Sequence, residues 1–387
     1  TLDVNGVTLA NALTLAGYGA NGIGALTGTG AAGISGAVTL SGNAGLGGTG
    51  TLTVSGAIGD GGHGYALDKV DTGTAILTGA NTYSGGTTIW NGTLSATNLA
   101  ALGTGAATVV SGATLDVNGV TLANALTLAG YGSDYQGALT GTGSAGVSGA
   151  VTLANDASLG GTGTLTLSGV IGDGGHGYAL SKVGGTGTVI LTAANTYSGG
   201  TTVWNGTLSA ANAAALGTGV ATVWRGGTLN VNGVTLANAL SLAGSGASGT
   251  GALTGTGIAG VSGAVTLASA ALLGGTGTLT VSGAIGDGGN RHGLYKVDTG
   301  TAVLTAANTY SGGTNIWNGT LSAANAAALG TGVATVLNGG TLDVNGVTLA
   351  NALTLAGYGA NGIGALTGTG AAGISGAVTL SGNAGLG

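Results

Sequence analysis

A long internal repeat is the feature that most constrains the fold of this chain. The run Thr-Leu-Asp-Val-Asn-Gly-Val-Thr-Leu begins at Thr1, Thr114 and Thr341, and a copy with one substitution begins at Thr228. These copies lie 113 or 114 residues apart, and residues 1–47 are identical to residues 341–387. A chain that repeats at a fixed period builds one structural unit several times, and neighbouring units bury each other's faces.

The repeat predicts the organisation of the chain. We expect repeat units at 1–113, 114–227 and 228–340, and a partial fourth unit at 341–387. Because no linker separates the units, we predict one continuous solenoid, and we interpret the chain as a window of a longer array.

Each unit divides further into short segments at Gly-Thr-Leu boundaries. The five segments of the first unit are 19–26 residues long, which is the length of one coil in a solenoid. Leu52 and Val54 alternate with Thr51 and Thr53, and this period of two is typical of a strand. We therefore predict about five coils per unit, with a column of Leu pointing inward and a column of Thr pointing outward.

The composition agrees with an all-β solenoid. There are 90 Gly residues and no Pro, and 43% of the residues are hydrophobic, which is enough to bury a core. Ala-rich stretches such as residues 209–216 are too short for a stable helix, so we predict strand or corner there. A row of antiparallel sandwiches is the alternative fold, and it would require hairpin signals every 8–12 residues or so. Asn-Gly pairs predict sharp corners with a positive φ, and they begin at Asn5, Asn91, Asn118, Asn205, Asn232, Asn318 and Asn345.

Charge and cysteine content argue against several classes of function. The chain has only five Lys and Arg residues and a net charge of −6, so it lacks the basic footprint of a nucleic-acid-binding protein. It has no Cys, and therefore no disulfide framework and no thiolate metal site. No apolar run reaches the ~18 residues of a membrane-spanning helix, so we expect no membrane span. We predict no cofactor.

The stretch Thr74–Asn91 carries a family resemblance, and it returns at Thr188–Asn205 and Thr301–Asn318. Its Asn-Thr-Tyr-Ser-Gly-Gly turn and the Asn-Gly-Thr-Leu run at 91–94 resemble the autotransporter-associated β-strand repeat, found in passenger regions of secreted bacterial surface proteins. The resemblance implies a right-handed parallel β-helix outside the cell, as a stalk or an adhesin. We expect the tyrosines of this turn to pack into corners, namely Tyr83, Tyr197 and Tyr310.

Most of the charged residues fall in one Gly-rich segment of each unit. We predict that this segment is a solvated loop whose side chains pair locally or contact another molecule. The candidate contact residues are His63, His176, His292, Lys69, Lys182 and Lys296. Asp60 and His63 could pair as a base and its orienting partner, but no Ser or Cys nucleophile recurs beside them, so we assign no catalytic residue. The Gly-Asp-Gly-Gly run could bind calcium, but a calcium site needs about six to eight oxygen ligands, so we assign no metal ligand.

Three tryptophans recur at one position of the repeat. If Ile89 points inward, alternation turns Trp90 outward, and the same holds for Trp204 and Trp317. We predict that they form a row on one face, about 24 Å apart, for lateral contact with another fibre or for stacking on sugar rings. Alternatively, each indole folds over its own chain. Trp224 and Arg225 occur in one copy only.

These observations favour a structural function. We expect a non-enzymatic rod of an extracellular bacterial surface fibre, adhesin stalk or matrix filament, whose partners are copies of itself or other surface components. The alternatives are a glycan-binding adhesin that uses the exposed Trp residues and a polysaccharide-active β-helix enzyme. Such an enzyme would place acidic residues together on neighbouring coils, whereas this chain has no Glu and few Asp residues.

Overall fold

The computed structural model describes residues 1–387 as two compact units, Thr1–Gly199 and Gly200–Gly387. Each unit is a parallel β-solenoid, and a turn takes about 21 residues. In each unit the chain passes through three ladders of parallel strands in a fixed order, which we name A, B and C in the first unit and D, E and F in the second. The predicted all-β parallel solenoid is confirmed, and antiparallel sandwiches are wrong because the strands pair in parallel.

The strands of the first unit stack as follows. Ladder A contains Leu2–Asn5, Leu26–Thr29, the end of Val38–Gly47, Leu67–Lys69, Thr87–Ile89, Ala107–Val109, Leu126–Gly130, the start of Val151–Gly160, and Ile171–Gly172. Ladder B contains Thr8–Leu9, Ala31–Ile34, Thr51–Val54, Thr74–Leu77, Thr93–Ala96, Thr114–Asn118, Leu139–Thr142, the end of Val151–Gly160, and Leu180–Lys182. Ladder C contains Leu13–Gly17, the start of Val38–Gly47, Ile58–Gly59, Thr121–Leu122, Ser144–Val147, Thr164–Leu167 and Thr188–Leu191.

The second unit repeats this arrangement. Ladder D contains the starts of Thr201–Ala210, Ala221–Asn232 and Val265–Gly275, with Leu240–Gly244 and Ile285–Gly286. Thr348–Leu349 and Gly373–Ile374 pair with each other in a separate two-stranded sheet. Ladder E contains the ends of the same three long strands, with Leu253–Thr256, Leu294–Lys296, Thr314–Ile316, Ala334–Val336, Leu353–Gly357 and Val378–Ala384. Ladder F contains Thr235–Leu236, Ile258–Val261, Thr278–Val281, Thr301–Leu304, Gly319–Ala323, Gly340–Asn345 and Leu366–Thr369.

Helix is confined to four short 3₁₀ turns. They span Ala20–Gly22, Ser133–Tyr135, Ala247–Gly249 and Ala360–Gly362, at corresponding positions of the repeat. No helix has the length and hydropathy that a membrane span requires. The Ala-rich stretch at 209–216 completes a strand at Ala210 and then turns, as predicted.

The columns that the sequence predicts are present in ladder B. Thr51 pairs with Thr74, Thr74 with Thr93, and Thr93 with Thr114, so these threonines stack in register. The residue after each threonine points inward and is buried, namely Leu52, Ala75, Leu94 and Leu115. Fully burying one Leu side chain contributes about 1.5–3 kcal/mol, and each coil adds another to the stack. The alternation of Thr and Leu in the sequence is therefore the in–out alternation of the solenoid wall.

Glycine serves two purposes at the corners. In the seven Asn-Gly pairs named above it provides the positive φ of a sharp turn, between +64° and +70°, as predicted. Elsewhere it allows adjacent coils to approach closely. A Cβ on Gly56 would lie 1.8 Å from the carbonyl oxygen of Gly36, so no side chain fits between these stacked corners.

The repeat and the coil do not have the same period. Leu2 of the first copy pairs with Leu26 in ladder A, but its counterpart Leu115 pairs with Leu94 and Leu139 in ladder B. In the second unit Leu229 lies in ladder E and its counterpart Leu342 in ladder F. A repeat of 113 residues thus takes about five and a third turns of about 21 residues. The predicted five coils are roughly right, and the remaining third moves each copy to the next ladder.

Candidate functional site

The charged segment of each 113- or 114-residue repeat folds into a loop around one buried Asp side chain. Asp60 is 1% exposed, and its Oδ1 accepts a hydrogen bond from the N–H of Gly62 at 2.9 Å. Its Oδ2 accepts from the N–H groups of Gly64 and Tyr65 at 2.9 and 3.1 Å. The backbone N–H and the hydroxyl of Ser84, on the following coil, complete the set at 3.1 and 2.9 Å. We call this segment, residues 59–71, the Asp60 loop.

These donors fix the charge state of the Asp side chain. Hydrogen bonds to the ionised form, first that from Gly62, hold the pKa of Asp60 well below its usual range. Asp173 has the same five partners in the second copy, and its pKa is lowered for the same reason. In the third copy the N–H of Ser311 is the main cause that lowers the pKa of Asp287 to about 2. A carboxylate that stays ionised and is saturated by protein donors is a poor proton acceptor.

The histidines of this loop do not pair with the buried carboxylate. Nδ1 of His63 lies 2.8 Å from the backbone oxygen of Asp60, and its ring stacks on Tyr65 with centroids 5.7 Å apart. His176 repeats this arrangement on Tyr178. The suggested base and orienting partner are therefore not formed. In the third copy Asn290 takes the place of the histidine and bonds the oxygen of Asp287, while His292 contributes only its backbone N–H to the carboxylate.

The lysines were predicted to be surface contacts, and this prediction is wrong. Lys69, Lys182 and Lys296 are each 1% exposed. Nζ of Lys69 donates to the backbone oxygens of Val70 and Asp71 at 2.7 Å and of Asn91 at 3.1 Å. Alternation from the inward Leu67 places Lys69 on the same inner side, a signal present in the sequence. Burial lowers the pKa of all three lysines to about 8.

The tryptophans are partly exposed but do not form one row. Trp204 lies inside the strand Thr201–Ala210, directly after its ladder D part, and Trp317 follows the ladder E strand Thr314–Ile316, so the two lie beside different ladders. The reason is that the repeat does not contain a whole number of turns. Trp90 is 54% exposed beside ladder A, and the other two are 44% exposed.

Two of the indoles pack against aromatic rings of neighbouring coils. Trp204 stacks on Trp224 with centroids 5.2 Å apart, and Trp317 meets Tyr295 edge-on at 5.2 Å. At these two positions the indole packs on its own chain, which is the alternative given for the tryptophans in the sequence analysis. Their exposed faces stay candidate contacts.

Other polar side chains make hydrogen bonds within the solenoid. Tyr83, Tyr197 and Tyr310 are fully buried in corners, as predicted, and the Tyr83 hydroxyl lies 2.6 Å from Oγ1 of Thr87. Asp116 accepts hydrogen bonds from Ser95 and from two threonines of the next coil, Thr140 and Thr142. No group of three or more metal-binding side chains comes together anywhere in the chain.

One feature of the surface is not predicted from the sequence. A cleft of about 560 Å³ in the first unit is lined by Asn91, Ser111 and the corner Tyr131–Tyr135. The signal that could have revealed it is a departure from the repeat, because Tyr135 and Gln136 replace Gly and Ile of the first and fourth copies.

Comparison with known proteins supports the resemblance seen in the sequence. The profile of the passenger-associated-transport-repeat family matches residues 67–96, 184–210 and 294–323. No curated protein and no solved structure matches the chain. Each match covers the Lys-bearing end of the charged loop or the glycines after it, the buried Tyr turn and the Trp corner. The chain is therefore similar to the passenger-associated-transport repeat at three places, one in each 113- or 114-residue repeat.

Proposed function

We propose that this chain is a non-enzymatic scaffold in the passenger region of a secreted or surface-displayed bacterial protein, as part of a fibre, stalk or matrix filament. The single observation that carries the proposal is the family match in all three repeat units. Repeats of this family suggest an autotransporter passenger and are typically structural.

The chemistry of the chain supports a scaffold. Buried Asp60 and half-buried Asp116 accept hydrogen bonds from backbone N–H groups and hydroxyls of the same or an adjacent coil, so their charge holds coils together. Main-chain pairing in register continues from coil to coil, and each coil stabilises the next. A scaffold of this kind presents the same corner at regular intervals without requiring reactive side chains.

Labelling of intact cells tests the location. An antibody against residues 1–387 is applied to cells that produce the protein, before and after permeabilisation. We expect equal labelling in both cases, and loss of the signal when intact cells are treated with protease. A signal that appears only after permeabilisation would contradict the proposal.

Self-association through the exposed indoles is part of the proposal. Trp204 and Trp224 present a stacked pair whose members are 44% and 43% exposed, a large apolar surface for a second copy. Sedimentation of the purified chain should show concentration-dependent association that the double variant Trp204→Ser, Trp224→Ser weakens. Leu99→Ser, which changes a 71% exposed residue elsewhere, serves as the control. Equal association of all three proteins would exclude this surface.

A further inference from the structure

The cleft beside Tyr135 differs in kind from the rest of the surface. Its walls come from four successive coils, at Thr72, Asn91, Ser111 and the corner Tyr131–Tyr135. The Tyr131 and Tyr135 rings lie with centroids 6.5 Å apart and planes inclined at 38°. Its volume of about 560 Å³ is within the range of small-molecule sites. We call it the Tyr135 cleft.

The backbone at Tyr135 is held in a conformation that this residue type disfavours. Its φ is +58°, and the preceding Asp134 has a φ of +51°. The three other copies of the corner have glycine at the position of Tyr135, namely Gly22, Gly249 and Gly362, with φ between +74° and +77°. A tyrosine in this left-handed region is strained. Burial of the ring does not offset the strain, because the side chain is 77% exposed. An exposed aromatic ring kept at a strained position favours a role in recognition.

Two polar groups of the Tyr135 cleft, the Tyr131 hydroxyl and the Asp134 carboxylate, have no hydrogen-bond partner within the chain. Tyr18, the counterpart of Tyr131 in the first copy, donates its hydroxyl to Asp68 at 2.7 Å. In the second copy the shorter Ser181 stands at the position of Asp68, and the Tyr131 hydroxyl makes no hydrogen bond within the chain. The same holds for the Asp134 carboxylate. The cleft thus offers a tyrosine hydroxyl that the matching corner of the first copy uses in an internal hydrogen bond.

Another change in the second copy lies against this corner. The second repeat, residues 114–227, is one residue longer than the first and the third, and the extra residue falls at Gly184–Gly185. A Cβ on Gly184 would lie 2.6 Å from the backbone oxygen of Gln136, so only glycine allows the coil to pass this close. The insertion and the altered corner therefore meet in space, as expected if they changed together.

We propose that the Tyr135 cleft binds a neutral carbohydrate. Two exposed tyrosine rings offer apolar faces for the C–H faces of sugar rings. Asn91, Ser111 and Asp134 offer amide, hydroxyl and carboxylate groups for sugar hydroxyls, which both donate and accept hydrogen bonds. No Lys or Arg lines the cleft, which disfavours an anionic ligand. A cationic peptide segment is the competing ligand, because it would use the same rings and Asp134.

The purified 387-residue chain tests this proposal directly. It is applied to an array of neutral and acidic oligosaccharides, and the affinity for the strongest neutral binder is measured by calorimetry. We expect Tyr135→Gly to weaken binding by about tenfold, the value of one good aromatic contact. Because glycine is the residue of the other copies, this variant should fold, and circular dichroism checks that it does. Tyr135→Phe keeps the ring and should weaken binding less.

A matched control and a peptide arm separate the outcomes. Tyr358→Ser changes the counterpart of Tyr131 in the fourth copy, using the residue of the third copy, and should leave binding unchanged. The proposal is overturned if no neutral oligosaccharide binds, or if Tyr135→Gly binds as tightly as the parent. It is also overturned if an oligolysine peptide binds instead and Asp134→Asn abolishes that binding. The test uses purified protein, so its result is independent of where the cell places the chain.

Discussion

The Asp60 loop and the corner Tyr131–Gln136 lie in the same compact unit, and both are rich in polar residues. In the Asp60 loop the carboxylate is 1% exposed and accepts five hydrogen bonds from the chain itself. In the corner, the Asp134 carboxylate and the Tyr131 hydroxyl are exposed and have no such partners. The Asp60 loop recurs in each of the three full repeats, whereas the corner with Tyr135 occurs in the second copy alone. Concentrated polar residues therefore mark a structural device in one place and a candidate site in the other, and hydrogen-bond saturation distinguishes them.

The largest expected effect separates the two aspartates. Asp60→Ala leaves five donors without their acceptor, so it should lower stability strongly and expose the N–H groups of Gly62, Tyr65 and Ser84 to exchange. Asp134→Asn removes only the exposed charge and keeps a residue that tolerates the φ of +51°, so it should change the free energy of unfolding by less than about 0.5 kcal/mol. Urea unfolding and amide hydrogen exchange measure both. Equal effects of the two substitutions would remove the distinction between loop and corner.

A pH effect of intermediate size should come from the lysine that closes the Asp60 loop. Burial lowers the pKa of Lys69 from 10.5 to about 8, so above pH 8 the folded chain loses a proton that the unfolded chain keeps. Stability should therefore rise between pH 8 and about 10, on the order of 2 kcal/mol for this residue. Urea unfolding as a function of pH measures the rise, and Lys69→Met should reduce it. The corner Tyr131–Gln136 has no lysine, so Tyr131→Ser should leave the rise intact.

The structure also sets the pH at which this rise in stability ends. The Asp68 carboxylate, by accepting a hydrogen bond from Tyr18, raises the pKa of that phenol to about 12. Above pH 10 the folded chain keeps this proton while the unfolded chain loses it, so stability should fall again. A stability that stays constant between pH 8 and about 10 would show that the three carbonyl partners of Lys69 keep it charged.

The smallest expected effect concerns backbone strain. Tyr135→Gly should raise the free energy of unfolding by about 0.5 kcal/mol, because relief of the left-handed strain exceeds the added entropy of glycine in the unfolded chain. The reverse change at the matching position, Gly22→Tyr, should lower it by a similar amount, and no atom lies within 4 Å of a Cβ there. Thermal unfolding of the two variants checks the pair. A loss of stability in Tyr135→Gly would mean that the ring contributes packing, which weakens the argument for recognition.

Much of the fold could be predicted because its rules are local. The threonine and leucine columns follow from a period of two within strands and a segment length near that of one coil. The Asn-Gly corners follow from the positive φ that glycine allows. The prediction of exposed Lys residues is wrong because alternation from Leu67 and Leu294 turns Lys69 and Lys296 inward, where backbone oxygens hold the ammonium group.

The sequence by itself determined the coil: its length, its inward and outward residues, and its corners. Only the tertiary structure decided which coils meet, because the 113-residue repeat is about a third of a turn longer than five coils. That remainder places Leu2 and Leu115 in different ladders and Trp204 and Trp317 at different corners. The tertiary structure also decided which polar groups are satisfied, since the partners of Asp60 and Lys69 come in part from the next coil. Local rules specify each coil, whereas pairing in register across coils sets the contacts.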